Sequence, residues 1–249
     1  MMMQPNYTTL LLDYGGTLDT GACHWSHVLW QGYVQAGVPV TREQFRQAYV
    51  AGERALALQP VIAPADNFLT LLRKKVRLEF QHLEQQRLWA PAPAEAEKAV
   101  TGVSDYCYAF AAAHVARSRE VLQSLREAYQ LIMVTNFYGN MRAVLADFGL
   151  DTLFPTIVES AVVGVRKPDP AIWQLGLDAA GVGAAQAVAV GDSVSKDVRP
   201  AASLGCATVW MQGRGWEDDK PTDEGCADAV IQRIEDLPDA LRRLQQTGR

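Results

Sequence analysis

The sequence contains little cysteine and no long apolar run. Its four cysteines, Cys23, Cys107, Cys206 and Cys226, are widely spaced and form no CxxC pair. This pattern favours a reduced, cytoplasmic setting over a disulfide framework or a zinc site. No apolar run approaches the length of a membrane span, and residues 1–6 lack the charged and apolar regions of a signal peptide. We therefore expect a cytoplasmic protein with no membrane partner.

Positive charge is also in deficit. The 249 residues include 23 lysines and arginines against 28 aspartates and glutamates, which gives a net charge of −5. A mildly acidic chain is a poor candidate for general nucleic-acid binding, and the basic stretch at residues 73–77 is better explained as the solvated face of a helix. Hydrophobic residues make up 49% of the chain, which is ample material for a packed core.

A long segment near the start of the chain has helical patterns and no strand pattern. Thr41 is expected to begin one helix, and apolar residues recur at three- and four-residue steps over residues 68–83 in a second. A third helix is predicted over residues 94–113. The sequence thus predicts two parts: a core of residues 1–19 and 115–249, and an inserted helical domain of residues 20–114.

The remainder of the chain alternates short apolar runs with amphipathic stretches, one of them a predicted helix over residues 118–129. Strands are predicted at residues 7–13, 130–135, 154–159, 186–192, 207–211 and 229–231. Strands that alternate with helices are typical of an α/β fold with a doubly wound parallel sheet. Residues 213–225 are polar and are expected to form a surface loop.

Polar residues stand where several of these strands end. They are Asp13, Thr135, Lys167 and Asp192, with Asp197 shortly after. The carboxyl ends of parallel strands share one edge, so these groups are expected to converge there. Two close acids repel unless a cation lies between them, and carboxylate oxygens suit Mg²⁺. A carboxylate nucleophile, Mg²⁺ and an anion-binding lysine and threonine together indicate phosphoryl transfer.

Four motifs carry a family resemblance. They are Asp13-Tyr14-Gly15-Gly16-Thr17, Val134-Thr135-Asn136, Gly164-Val165-Arg166-Lys167-Pro168-Asp169-Pro170, and Gly191-Asp192-Ser193 followed by Asp197, Ala201 and Gly205. In order and spacing they resemble those of the haloacid dehalogenase (HAD) superfamily, a large group of hydrolases with an aspartate nucleophile. The resemblance implies a Rossmann-like core and a helical cap inserted after the first motif.

The resemblance also implies roles in binding and attacking a phosphoryl group. Asp13 would be the nucleophile that forms an aspartyl-phosphate, and Thr135 would donate a hydrogen bond to a phosphoryl oxygen. Lys167 would neutralise that oxygen and orient Asp13. The backbone amides of Gly16 and Asn136 would bind the transferring group.

A magnesium site is the second implication. Asp13, Asp192 and the backbone carbonyl of Gly15 would bind Mg²⁺ directly. Asp197 would hold a metal-bound water or Lys167. The implied substrate is a small phosphorylated metabolite; the sequence does not indicate an oligomeric state.

Gly15 departs from the pattern of the family's phosphatases. They carry a second aspartate at this position, which protonates the leaving group and later activates water. Glycine keeps the carbonyl but loses the proton-transfer group, whose contribution is typically about 10²–10⁴-fold. The resemblance therefore implies a hydrolase that acts poorly on ordinary phosphate esters.

Several alternatives remain open at this point. A degenerate relative could bind a phosphorylated ligand or a protein partner with little turnover, and an acyl phosphate could serve as substrate because its leaving group is good. The phosphonate-cleaving branch has a small residue at the position of Gly15 and uses a cap lysine to form a Schiff base. The insert offers Lys74, Lys75 and Lys98 for that role. The haloacid dehalogenases themselves carry an aromatic residue there and need no metal.

Overall fold

The computed structural model describes residues 7–216 and 225–247, which form one parallel sheet with helices around it. The strands are β1 (Thr9–Leu12), β2 (Gln130–Thr135), β3 (Thr156–Glu159), β4 (Ala187–Gly191), β5 (Ala207–Met211) and β6 (Ala229–Ile231). The helices are α1 (Trp25–Gln35), α2 (Arg42–Leu58), α3 (Phe68–Gln85), α4 (Pro93–Leu125), α5 (Met141–Asp147), α6 (Ser160–Val163), α7 (Ala171–Ala180), α8 (Arg199–Ser203) and α9 (Leu237–Thr247). No helix in the described ranges has both the length and the apolar character needed to cross a membrane.

The sheet is doubly wound, as predicted. Its strands run parallel in the order β3-β2-β1-β4-β5-β6. The chain builds one half outwards from β1 through β2 and β3, then returns to begin the other half at β4, beside β1. Open α/β sheets bind their ligands at such a reversal, outside the carboxyl ends of the strands. The candidate site is therefore expected beyond the ends of β1 and β4.

The residues of β1 show why each of these strands is a continuous apolar run in the sequence. Leu10, Leu11 and Leu12 are all fully buried, because helices cover both faces of the sheet. Successive side chains of a strand point to opposite faces. Leu10 and Leu12 accordingly join the larger hydrophobic core, whereas Leu11 packs in a second core that includes Trp173 of α7.

The segment between β1 and β2 is helical throughout its described elements. Thr41 caps α2 as predicted: its hydroxyl accepts the amide of Gln44, whose side chain in turn accepts the amide of Thr41. The apolar repeat over residues 68–83 lies on α3, where Phe68, Leu72 and others of its residues are buried. These helices pack against one another and against α4.

One long helix replaces the two that the sequence predicts over residues 94–113 and 118–129. α4 continues for 33 residues, from Pro93 to Leu125. No proline or glycine separates the predicted helices, and the buried side chains Ala111, Val115 and Ser118 keep the helical repeat across the junction. The predicted boundary between residues 114 and 115 therefore falls inside a continuous helix.

The loop after β5 contacts the start of the helical segment. Of the polar loop predicted for residues 213–225, residues 217–224 lie outside the described residues. The amide of His24 donates to the carbonyl of Arg214 over 2.8 Å. A Cβ atom on Gly213 would lie 2.4 Å from the carbonyl oxygen of Ala22, so glycine permits this close approach. Trp216 is thereby brought to the helical side of the sheet edge.

Candidate active site

Four charged side chains meet beyond the ends of β1 and β4. The Lys167 Nζ lies 2.6 Å from Asp13 Oδ1 and 2.7 Å from Asp197 Oδ1. Asp13, Asp192 and Asp197 each place a carboxylate oxygen within 4.8 Å of the other two. The Thr17 hydroxyl lies 2.9 Å from Asp13 Oδ2 and 3.3 Å from Asp192 Oδ1, linking the two strand ends. The structure thus brings together the predicted nucleophile, lysine and acidic residues.

The charges of this cluster are unbalanced. Burial, followed by the charges of Asp197 and Asp13, raises the pKa of Asp192 well above its usual range. Burial lowers the pKa of Lys167, but Asp13 and Asp197 outweigh this and raise it. Three acidic side chains therefore share one ammonium group. A hard divalent cation held by oxygen atoms would relieve the repulsion, so the donor set fits Mg²⁺.

One of the two predicted second-motif residues contacts Lys167. The Asn136 side chain accepts the Lys167 amide over 2.8 Å and donates to the Lys167 carbonyl over 3.1 Å, which holds the lysine backbone in place. Thr135 is 1% exposed, and its hydroxyl has no hydrogen-bond partner among the described residues. Buried hydroxyls normally have a partner, so Thr135 retains an unused donor at the end of β2.

The two glycines of the first motif differ in their surroundings. Gly16 has a φ of +94°, and a Cβ there would lie 2.4 Å from Asp192 Oδ2, so this position requires glycine. Its amide donates to Asp19 Oδ1 over 2.7 Å, although the sequence predicts that it binds the transferring group. A Cβ on Gly15, by contrast, would meet no atom within 4 Å. Gly15 therefore leaves open space where a side chain could stand.

Asp19 is a buried acid that the sequence pattern did not assign to the site. Burial raises its pKa to about 7. Its other carboxylate oxygen accepts the Trp25 Nε1–H over 3.0 Å. Both oxygens are thus engaged, and Asp19 ties the amide of Gly16 to the start of α1.

A cavity of 1220 Å³ extends from Asp13 to the helical segment. Lys75 and Glu53 line the cavity and form an ion pair, and Glu79, which does not line it, lies 3.5 Å from Lys75. The Tyr138 hydroxyl, which follows β2, donates to Glu53 over 3.1 Å and so joins the core to α2. Burial lowers the pKa of Lys75, but Glu53 and Glu79 reverse the effect and raise it well above its usual range. Lys75 therefore stays an ammonium ion.

Replacing Lys75 with methionine should lower the free energy of unfolding by about 3 kcal/mol, because Glu53 and Glu79 would lose their counterion. This is the lower end for a broken buried pair, since the Glu53 side chain is 38% exposed. The neighbouring Lys74→Met is the matched control. The Lys74 side chain is 30% exposed, pairs with Asp66 and donates to the Val61 carbonyl, so its loss should cost less than that of Lys75. Equal shifts of the two variants in urea unfolding would contradict this assignment.

Comparisons with known proteins identify the family of this chain. A model of the haloacid dehalogenase-like hydrolase family matches residues 7–205. A phosphoserine phosphatase of Thermus thermophilus is 35% identical over 100 residues, 40% of this chain and 40% of that protein. A glyceraldehyde 3-phosphate phosphatase of Methanopyrus kandleri is 35% identical over 101 residues, 40% of this chain and 43% of that protein. The matches thus span less than half the length of these relatives.

A solved structure shares the fold over nearly the whole chain. It is that of the Bacillus subtilis protein YfnB bound to magnesium, with a TM-score of 0.59 and 19% sequence identity. The comparison covers 95% of this chain and 99% of that one. Because the family model spans most of the sequence and the fold agrees, the chain belongs to the haloacid dehalogenase-like hydrolase family.

Proposed function

We propose that this protein is a magnesium-dependent hydrolase that removes the phosphoryl group of a small phosphorylated compound through an aspartyl-phosphate on Asp13. The observation that carries the proposal is the buried cluster of Asp13, Lys167, Asp192 and Asp197 at the switch point of the sheet. Two sequence relatives named as phosphatases of phosphate monoesters support the choice of a phosphoryl group.

The reaction would take place in two displacements at phosphorus. A carboxylate oxygen of Asp13 attacks phosphorus while the bond to the leaving oxygen breaks; water then attacks phosphorus, and Asp13 is released with inorganic phosphate. Lys167, which contacts Asp13 over 2.6 Å, orients the nucleophile and neutralises negative charge on the phosphoryl oxygens. The unpartnered hydroxyl of Thr135 would donate to one of those oxygens.

The metal site would consist of Asp13, Asp192 and the carbonyl of Gly15. When bound, Mg²⁺ supplies positive charge beside the reacting phosphoryl group. Asp197 would act through Lys167, which it contacts over 2.7 Å.

The helical segment of residues 20–114 would serve as the cap of this site. Its residues His24, Tyr49 and Lys75 share one cavity with Asp13, which follows β1. A wall of this kind limits the access of water to the phosphoryl group. Specificity would then lie in the cap residues on the far side of the cavity.

The alternative chemistries fit the site less well. A Schiff base requires a neutral lysine, whereas Lys75 faces the cavity as an ammonium ion between two carboxylates. Dehalogenation without a metal would not explain why the acidic cluster is present. Gly15 is the one feature that favours binding without turnover. The groups that attack and bind a phosphoryl group are retained, and they favour a hydrolase.

Asp192→Ala tests the metal site directly. Changes around metal ligands typically lower affinity about 10–100-fold, and the loss of a direct ligand should lower Mg²⁺ affinity at least tenfold. Calorimetric titration with Mg²⁺ measures this without any substrate. The exposed Asp178→Ala serves as control and should bind Mg²⁺ like the wild type. Equal affinity in all three proteins would show that the metal assignment is wrong.

A panel of phosphate esters and acyl phosphates, assayed with Mg²⁺ and with a chelator, tests the activity itself. We expect turnover only with Mg²⁺. No release of phosphate from any compound would favour the binding-only alternative.

A further inference from the structure

Part of the cavity is lined with aromatic rings. We call the set of His24, Trp25, Tyr49 and Trp216 the aromatic wall, since all four line the cavity that contains Asp13. The ring centroids of His24 and Trp216 lie 4.9 Å apart, and those of Tyr49 and Trp216 lie 5.4 Å apart. These residues come from α1 and its N-terminal cap, from α2 and from the loop after β5. The fold thus collects aromatic rings from distant parts of the chain.

The aromatic wall is joined to the reaction centre. Trp25 donates to Asp19 over 3.0 Å, and Asp19 accepts the amide of Gly16 in the first motif over 2.7 Å. Trp216 is fixed from another direction, with the Arg46 guanidinium 5.4 Å from its ring centroid. Burial lowers the pKa of His24 to about 4, so its ring is uncharged at neutral pH. The wall therefore presents neutral, positioned ring surfaces.

Two charged side chains that line the cavity beside the aromatic wall already have partners. Lys75 is paired with Glu53 and Glu79, and its Nζ lies 4.6 Å from the Tyr49 ring centroid. Glu53 also accepts the hydroxyl of Tyr138. A charged leaving group that bound Lys75 or Glu53 would have to compete with these pairs, whereas a neutral ring that packs on the wall need not.

Gly15 adds an independent constraint on the leaving group. Without a carboxyl at this position, the leaving oxygen must depart with little help from a proton donor. Phenols ionise near pH 10, as the tyrosine side chain does, and aliphatic alcohols are much weaker acids. A phenolate can leave as the anion and take its proton from water afterwards.

We propose that the natural substrates are aryl phosphates, whose aromatic leaving group packs against His24, Trp25, Tyr49 and Trp216. This inference rests on the proposed function and narrows it to one class of ester. Asp13 attacks phosphorus as the bond to the phenolic oxygen breaks, and the phenolate leaves with the electron pair. Water then releases phosphate from Asp13.

Three substrates test the effect of the leaving group and the effect of the aromatic ring separately. Phenyl phosphate offers a ring and a good leaving group, cyclohexyl phosphate a bulky alkyl group with a poor one, and acetyl phosphate a good leaving group without a ring. We expect kcat/KM for phenyl phosphate to exceed that for cyclohexyl phosphate by about 100-fold or more.

Trp216→Leu then tests the wall. Stacking of an aromatic group on a side chain typically changes affinity by about tenfold or more. The ratio of kcat/KM for phenyl phosphate to that for acetyl phosphate should therefore fall about tenfold, mainly through KM. Trp216→Phe keeps a ring and should restore most of the ratio. Trp30→Leu, a tryptophan of α1 that does not line the cavity, is the control and should leave the ratio unchanged.

Two results would overturn the inference while the proposed function stands. One is an equal kcat/KM for cyclohexyl phosphate and phenyl phosphate. The other is an unchanged ratio in Trp216→Leu although acetyl phosphate is hydrolysed. If none of the three compounds is hydrolysed, not even acetyl phosphate, both the proposed function and this inference are wrong. Both values of kcat/KM in the ratio are measured on the same protein. A partly unfolded fraction lowers them equally, so it cannot imitate a loss of specificity.

Discussion

Replacing Asp13 with asparagine is expected to abolish turnover, with kcat falling on the order of 10⁴-fold or more for every phosphate ester and acyl phosphate. An amide is a far weaker nucleophile than a carboxylate, and asparagine has nearly the same size. Thr17 and Lys167 would both lose a charged partner at this position. Lys167 would still be paired with Asp197, so we expect the fold to be maintained.

Two measurements check this result. Phosphate release gives kcat, and intact-protein mass after rapid quenching detects a phosphorylated protein, which should form in the wild type and be absent from Asp13→Asn. Asp105→Asn makes the same chemical change at an exposed residue that does not line the cavity, and it should behave like the wild type. Full activity of Asp13→Asn would exclude Asp13 as the nucleophile.

The core of this structure could be predicted closely because its signal is local. Strands β2, β5 and β6 match the predicted ranges at residues 130–135, 207–211 and 229–231. Each buried strand of a parallel sheet is a short apolar run that ends in a turn or a polar residue. The meeting of Asp13 with Lys167 and Asp197 follows from the same topology, since parallel strands end at a common edge.

The rest of the site depends on contacts between distant segments. Asp19 looks like an ordinary turn residue until its bonds to Gly16 and Trp25 are known. Glu53 and Tyr138 are 85 residues apart in sequence, and no periodic pattern relates α2 to the end of β2. The length of α4 also differs from the prediction, although its signal is local. No proline or glycine lies between the two predicted helices, and the buried residues Ala111, Val115 and Ser118 keep one helical repeat across the junction.

Gly15→Asp is expected to raise turnover of esters with poor leaving groups by roughly 10²-fold or more, the lower end for an acid–base group. The structure offers room for the change, because a Cβ at Gly15 would meet no atom within 4 Å and no positive φ must be maintained. The backbone carbonyl stays in place, so Mg²⁺ binding should be retained. The new carboxyl would stand two residues after Asp13, where it can protonate the departing oxygen and later activate water.

The size of the gain should depend on the leaving group. Cyclohexyl phosphate needs protonation at departure and should gain the most, whereas nitrophenyl and acetyl phosphates need little and should gain less. Gly15→Asn fills the same space without an acid and should show no gain, which separates proton transfer from packing. Asp13→Asn should remain inactive in the Gly15→Asp background, because the added acid cannot replace the nucleophile. If Gly15→Asp binds Mg²⁺ normally but accelerates no ester, the absent acid does not limit this enzyme, and the alternative of ligand binding without turnover becomes the better explanation.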